Sequence, residues 1–168
     1  AYTLEELLSY RRALDIEAAQ QAALNRTPDD IEALEAAVST ELRRRHCTAF
    51  ASEEEPADMA GRFHYLMFDA AQNRLLASLY AGITDRLEAP EHRERLTHGS
   101  DADAMQEEHL RIFDAIKRGD FIDAVHAMAD HVDHDLVVVT SEDEIIPPLR
   151  RSASAQARID EARQRKGS

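Results

Sequence analysis

Residues 63–73 read Phe63-His64-Tyr65-Leu66-Met67-Phe68-Asp69-Ala70-Ala71-Gln72-Asn73, and this stretch decides the fold. As an α-helix it places one histidine among apolar side chains on a single face, at i, i+4, i+7, i+8 and i+11: Ala60, His64, Met67, Phe68 and Ala71. A lone histidine on such a face is more often a core residue with one hydrogen bond than a ligand. The prediction of a site therefore depends on whether other helices repeat the pattern.

The rest of the chain also predicts helices. Alanine, leucine, glutamate and arginine dominate the 168 residues, and glycine and proline number five each. Strand-like alternation is absent, and capping residues separate the periodic segments. We therefore predict an all-α protein with helices near residues 4–25, 28–46, 57–72, 74–87, 101–118 and 121–140. Within it, residues 1–140 form one helical domain and residues 141–168 a polar tail or loosely packed helix.

The breaks between helices follow capping chemistry. Thr27-Pro28 predicts the start of the second helix, Asn73 caps the fourth, and Asp120 caps the last. Between them, residues 90–100 predict a loop whose two histidines, His92 and His98, are exposed.

Charge and composition exclude several classes of protein. The net charge of −13 would repel a phosphate backbone, so we do not expect the main surface to bind nucleic acid. The single cysteine, Cys47, excludes an internal disulfide and a thiolate metal cluster. No apolar run approaches the roughly 20 residues that span a bilayer, and the N-terminus lacks the basic-then-apolar pattern of a signal peptide. We therefore expect a cytoplasmic protein, and the start at Ala1 suggests a processed or excised piece.

Two charged residues interrupt the apolar stripe of the first helix. Arg11 and Asp15 lie four residues apart, so they can form an ordinary ion pair at the edge of the stripe. The alternative is that Arg11 holds a carboxylate or phosphate ligand inside the bundle, because a guanidinium suits bidentate capture of such groups.

Two later helices repeat the buried-histidine pattern. His109 lies in the stripe of Met105, Ile112, Phe113 and Ile116, and His131 lies beside the stripe of Phe121, Ala124, Val125, Met128 and Val132. Three buried imidazoles need partners for their ring nitrogens, and a divalent cation would provide one for all three. Chance placement is the alternative, because some of eight histidines will fall on inner faces. His126 lies in a polar band and is predicted to be exposed, while His134 is a reserve candidate.

Other chemical signatures are missing. A di-iron bundle needs Glu-x-x-His pairs, but Gln106 and Gly61 stand three residues before His109 and His64. His134-Asp135 is a bare pair of the sort found in helical metal phosphohydrolases. An alternative function is therefore a helical metal-dependent hydrolase that uses the same three histidines, and a third is an interaction module without a ligand.

The order of these motifs resembles a known family. The set comprises Arg11-Arg12-Ala13-Leu14-Asp15, Thr27-Pro28-Asp29-Asp30, Phe63-His64, Ala70 to Leu76, Glu108-His109, Ala115 to Asp120, Ala124 and His131. It resembles the FCD domain, the effector-binding C-terminal domain of GntR-family transcriptional regulators of the FadR type. The resemblance covers about residues 4–136 and implies an antiparallel bundle of six to seven helices.

The resemblance also implies a site. Metal-binding members use an aspartate four residues before the first histidine, that histidine and two later ones. His64, His109 and His131 match, and the expected ion is zinc or nickel, but the aspartate position is Ala60. Arg11 matches the family's ligand-facing arginine, which implies a small carboxylate effector, and Asp15 stands where glutamate is commoner.

The family acts on DNA through a winged helix-turn-helix that precedes the FCD domain. Nothing in this chain corresponds to that domain, because the pattern starts within its first few residues. The resemblance therefore implies a sensor that performs no chemistry, acts as a homodimer, and meets DNA only through the missing N-terminal domain.

Overall fold

Six helices build the part of the protein that the structure describes. In a computed structural model, residues 2–46, 59–87 and 102–140 are described, and no strand occurs among them. The helices are α1 (Leu4–Asn25), α2 (Pro28–His46), α3 (Met59–Ala70), α4 (Arg74–Leu87), α5 (Ala102–Arg118) and α6 (Phe121–Thr140). Two or three residues join α1 to α2, α3 to α4 and α5 to α6. Where the joined helices also pack together, as α3 does with α4 and α5 with α6, the short connection makes them antiparallel neighbours. The prediction of an all-α bundle is confirmed.

Helix α1 is the centre of the bundle. It packs against α3, α4, α5 and α6, while α2 packs against α3 and α5. Four alanines in its second half, Ala18, Ala19, Ala22 and Ala23, are fully buried and let neighbouring helices approach closely. An ion pair between Arg12 and Asp133 (Nη2 to Oδ2, 3.1 Å) also joins α1 to α6.

The helix starts follow the predicted capping chemistry. Thr27 Oγ1 accepts a hydrogen bond from the Asp30 amide at 3.2 Å, and the Asp30 carboxylate accepts one from the Thr27 amide at 2.8 Å. Asn73 caps α4 by accepting from the Leu76 amide, and Asp120 caps α6 by accepting from the Asp123 amide. Each side chain satisfies an amide that the helix itself cannot pair.

Helix α3 ends earlier than the sequence predicts. The periodicity predicts an end at Gln72, but the helix ends at Ala70, because Gln72 adopts a left-handed backbone with φ of 56°. This conformation turns the chain sharply towards the Asn73 cap. At the same end of the bundle, beside Arg26, Gly119 (φ 73°) has a left-handed backbone between α5 and α6.

Some predicted core positions are corrected. The sequence predicts Phe121 in the stripe of α6, but this side chain is 41% exposed, because it is the first residue of the helix and lies at the end of the bundle. Met105 and Val125 are only half-buried. The predicted loop at residues 90–100, with His92 and His98, and the tail at residues 141–168 lie outside the described residues. Among the described helices, none is long and apolar enough to cross a membrane.

Candidate metal centre

Three histidines from three helices meet in the core. His64 of α3, His109 of α5 and His131 of α6 are exposed by only 2%, 0% and 1%. Each offers one ligand nitrogen, and these atoms lie within 4.8 Å of one another. Their ring centroids are separated by 4.8 to 5.3 Å. The apolar stripes therefore predicted the three residues that the fold brings together.

A carboxylate holds the outer nitrogen of every one of these rings. The first two contacts are His64 Nδ1 to Asp15 Oδ1 at 2.9 Å and His109 Nδ1 to Glu41 Oε2 at 3.1 Å. The third is His131 Nδ1 to Glu108 Oε2 at 2.8 Å. An ionised carboxylate can only accept a hydrogen bond, so each imidazole donates Nδ1–H outwards. This arrangement leaves Nε2 as the nitrogen with a lone pair.

The inner nitrogens of two rings are at the spacing of metal ligands. His64 Nε2 lies 3.2 Å from His131 Nε2. In neutral rings with the proton on Nδ1, both Nε2 atoms are acceptors and cannot hydrogen-bond to each other. Two nitrogens bound tetrahedrally to one zinc ion, each about 2.0 Å away, lie about 3.3 Å apart. The donor chemistry of the three imidazoles therefore fits a divalent cation, and these histidines could hold one.

Burial keeps His64 in the form that can bind a metal. Burial lowers the pKa of His64 from its usual 6.5 to about 3, and the neighbouring Asp15 offsets only part of that effect. Burial alone would raise the pKa of Asp15, but His64 and Arg11 outweigh it, so this carboxyl has a lowered pKa. At neutral pH the pair is a neutral imidazole and a carboxylate, as a metal ligand and its supporting acceptor should be.

Comparison with known proteins gives the family. The family model for the FCD domain matches residues 6–134. This chain belongs to the FCD domain family. A curated relative, the HTH-type transcriptional regulator LutR of Bacillus subtilis (strain 168), is 30% identical over 133 residues. The aligned region covers 77% of this chain and 58% of the relative, so the chain spans little more than half the length of that protein.

Arg11 is connected to the histidine cluster of this FCD domain through Asp15. Arg11 Nε donates to Asp15 Oδ2 at 3.1 Å, which is the predicted ion pair within α1. The Arg11 side chain retains 22% exposure, whereas Asp15 has none. The sequence left open whether Arg11 forms an ion pair or binds a ligand. The ion pair exists, and Asp15 is the single residue that lies between Arg11 and the histidine cluster.

Aromatic rings pack around the histidines in the core of the FCD domain. Phe63 stacks on His109 with centroids 4.5 Å apart, and Tyr80 of α4 lies nearly parallel to His64 at 6.3 Å. Phe68 stacks on Tyr80 with centroids 4.1 Å apart. Burial raises the pKa of Tyr80 well above its usual 10, so its hydroxyl stays protonated.

The sequence identified Asp15 only as a partner of Arg11, and it did not reveal Glu41 or Glu108 as supporting carboxylates. Glu108 stands beside His109 in the sequence, yet it contacts His131 on the next helix, and Glu41 comes from α2. A partner on another helix leaves no spacing signal in the sequence.

Of the three predicted positions that remain, only His126 has a described side chain. His126 is exposed, as predicted. The reserve candidate His134 lies outside the residues whose side chains are described. Ala60, at the family's aspartate position, has no side-chain donor atom and cannot ligate a metal.

Proposed function

We propose that this FCD domain is the ligand-sensing part of a DNA-binding transcriptional regulator, and that it binds a small carboxylate beside a divalent metal. The metal ligands would be His64, His109 and His131. The observation that carries this proposal is that a carboxylate holds Nδ1 of each ring, which leaves the lone pairs of three Nε2 atoms for one ion. Such carboxylate–histidine pairs are typical of protein metal sites.

The donor set favours zinc or nickel. Three imidazole nitrogens suit these borderline ions better than magnesium or calcium, which prefer oxygen ligands. Because Ala60 supplies no fourth protein ligand, more of the coordination sphere is left for water or for a bound acid. When bound, the ion would supply positive charge that attracts a carboxylate into an otherwise apolar core.

Arg11 supplies the second cationic group. Its guanidinium has five N–H donors, and Asp15 accepts from one of them at Nε. The side chain is part-buried beside the histidine cluster, where charge-assisted hydrogen bonds to a carboxylate are strong. The proposed effector is therefore a small organic acid that contacts both Arg11 and the metal.

The family and the relative favour sensing over catalysis. Each of the three carboxylates that contact the histidines is bonded to an imidazole Nδ1, which supports a role in orienting the rings over a role as base for a bound water. DNA contact would belong to a helix-turn-helix outside this chain, and two copies would act together as a homodimer. Sedimentation equilibrium tests the dimer, and a monomer at micromolar concentration would contradict it. Turnover of small phosphoesters or amides would favour the hydrolase alternative.

Metal binding tests the proposal. Titration of the metal-free domain with Zn²⁺ should give one tight site, and His64→Gln, His109→Gln or His131→Gln should each weaken binding at least about 100-fold, because one of three ligands is lost. The matched control is His126→Gln, which replaces an exposed histidine and should leave the affinity unchanged. No binding by the unaltered domain, or equal effects of all four substitutions, would contradict the proposal.

A further inference from the structure

We infer that Asp15 couples the two halves of the effector site, so that a carboxylate bound at Arg11 tightens the metal on His64. This inference rests on the proposed function and assigns a role to a residue that contacts neither metal nor effector. Asp15 is fully buried and divides its two oxygens between two partners. Oδ1 accepts from His64 Nδ1 at 2.9 Å, and Oδ2 accepts from Arg11 Nε at 3.1 Å.

The hydrogen bonds from Arg11 and His64 to Asp15 determine whether the coupling strengthens or weakens metal binding. Arg11 and His64 both donate hydrogen bonds to the same negatively charged carboxylate. When an anion binds the guanidinium, it neutralises part of the positive charge that Asp15 experiences. Asp15 then accepts more strongly from His64 Nδ1–H, and a more strongly supported imidazole donates better to a metal through Nε2. By linkage, the metal must tighten carboxylate binding by the same factor.

The burial of Asp15 strengthens the coupling between Arg11 and His64. Interactions with a fully buried charge such as that of Asp15 are screened weakly, so a change in charge at Arg11 alters how strongly Asp15 accepts hydrogen bonds. Asp15 lies on the central helix α1 and His64 on α3, so the coupling also links two helices that pack together.

A second carboxylate provides the contrast. Glu41 supports His109 through Nδ1 at 3.1 Å, and its side chain is 10% exposed. In the part of the chain that the structure describes, Glu41 contacts this histidine and no arginine. It should strengthen metal binding as Asp15 does, but it should not respond to an anion at Arg11.

The experiment compares Asp15→Asn with Glu41→Gln, using Zn²⁺ as the metal and acetate as the probe carboxylate. The measured quantity is the ratio of the Zn²⁺ dissociation constant without acetate to that with saturating acetate. Both substitutions should weaken Zn²⁺ binding about 10- to 100-fold, because each removes one supporting charge. The unaltered domain and Glu41→Gln should show the same ratio, at least about fivefold. Asp15→Asn should lower that ratio at least about threefold, leaving only what acetate contributes by touching the metal directly.

A second variant keeps the test valid if Asp15→Asn does not fold. Arg11→Lys retains the charge but removes the planar guanidinium, so the ratio should fall towards that of Asp15→Asn. Equal ratios in all variants, or a ratio of one in the unaltered domain, would overturn the coupling and leave the metal site intact. Failure of the unaltered domain to bind Zn²⁺ would instead overturn the proposed function.

Discussion

At the residue scale, the burial of His64 makes stability depend on pH. Its pKa is about 3 in the folded protein against a usual 6.5, so between these values the unfolded chain binds a proton that the folded chain does not. The free energy of unfolding of the metal-free protein should therefore fall as the pH is lowered from 6.5, by up to about 1.4 kcal/mol per pH unit from this residue. Asp15 has a lowered pKa, so its contribution is present above its usual 3.8 and is lost only at lower pH.

Urea unfolding at about pH 7.5, 6.0 and 5.0 measures this effect. His64→Gln cannot take up the proton, so its stability should decline less steeply than that of the unaltered protein. His126→Gln replaces an exposed histidine and should retain the full pH dependence. If His64→Gln and the unaltered protein lost stability in parallel, His64 would not be a buried neutral group in the folded protein.

The residues of the site were predictable only in part. His64, His109 and His131 could be chosen because an imidazole among apolar residues at helical spacing is visible in one sequence. The partners Glu41 and Glu108 could not be chosen, because neither is bonded to a histidine of its own helix. Helix spacing reports neighbours on one element, whereas these contacts depend on how separate helices pack.

At the scale of single elements, two glycines should respond oppositely to the same change. Gly119 has φ of 73°, and a Cβ there would lie 2.6 Å from Arg26 Nη2. Gly119→Ala should therefore cost about 1–2 kcal/mol, because the left-handed backbone is strained for alanine and the guanidinium must move. Gly82 lies within α4, and a Cβ added there would meet nothing within 4 Å, so Gly82→Ala should stabilise the protein by about 0.5–1 kcal/mol.

Urea unfolding of both variants checks this pair. Arg26 explains the difference, since its guanidinium donates to the carbonyls of Ala23 and Lys117 and so ties the end of α1 to the end of α5. Equal effects of the two substitutions would show that neither the backbone of Gly119 nor its contact with Arg26 matters.

Helix boundaries were predictable where a side chain caps the helix. Thr27, Asn73 and Asp120 mark their helices in the sequence because a short polar side chain before an apolar run has a defined bonding partner. The end of α3 was missed, since a glutamine gives no sign that it will adopt a left-handed backbone.

At the scale of the whole molecule, the candidate centre unites most of the bundle. Helices α3, α5 and α6 supply the histidines, and α1, α2 and α5 supply the carboxylates that orient them. A metal held there would link five of the six described helices directly or through one hydrogen bond. Binding at the histidine cluster can favour one arrangement of the helices over another. A sensor domain must change its helix arrangement in this way to affect a domain attached to it.

The most direct test of the metal centre is X-ray absorption spectroscopy at the zinc edge on the domain loaded with one equivalent of Zn²⁺. We expect three imidazole nitrogens at about 2.0 Å, completed by oxygen from water or from added acetate. Loss of one imidazole should follow His64→Gln, and no change should follow His126→Gln. A spectrum with fewer than three imidazoles, or one unaltered by His64→Gln, would contradict the central claim that the three buried histidines form a metal site.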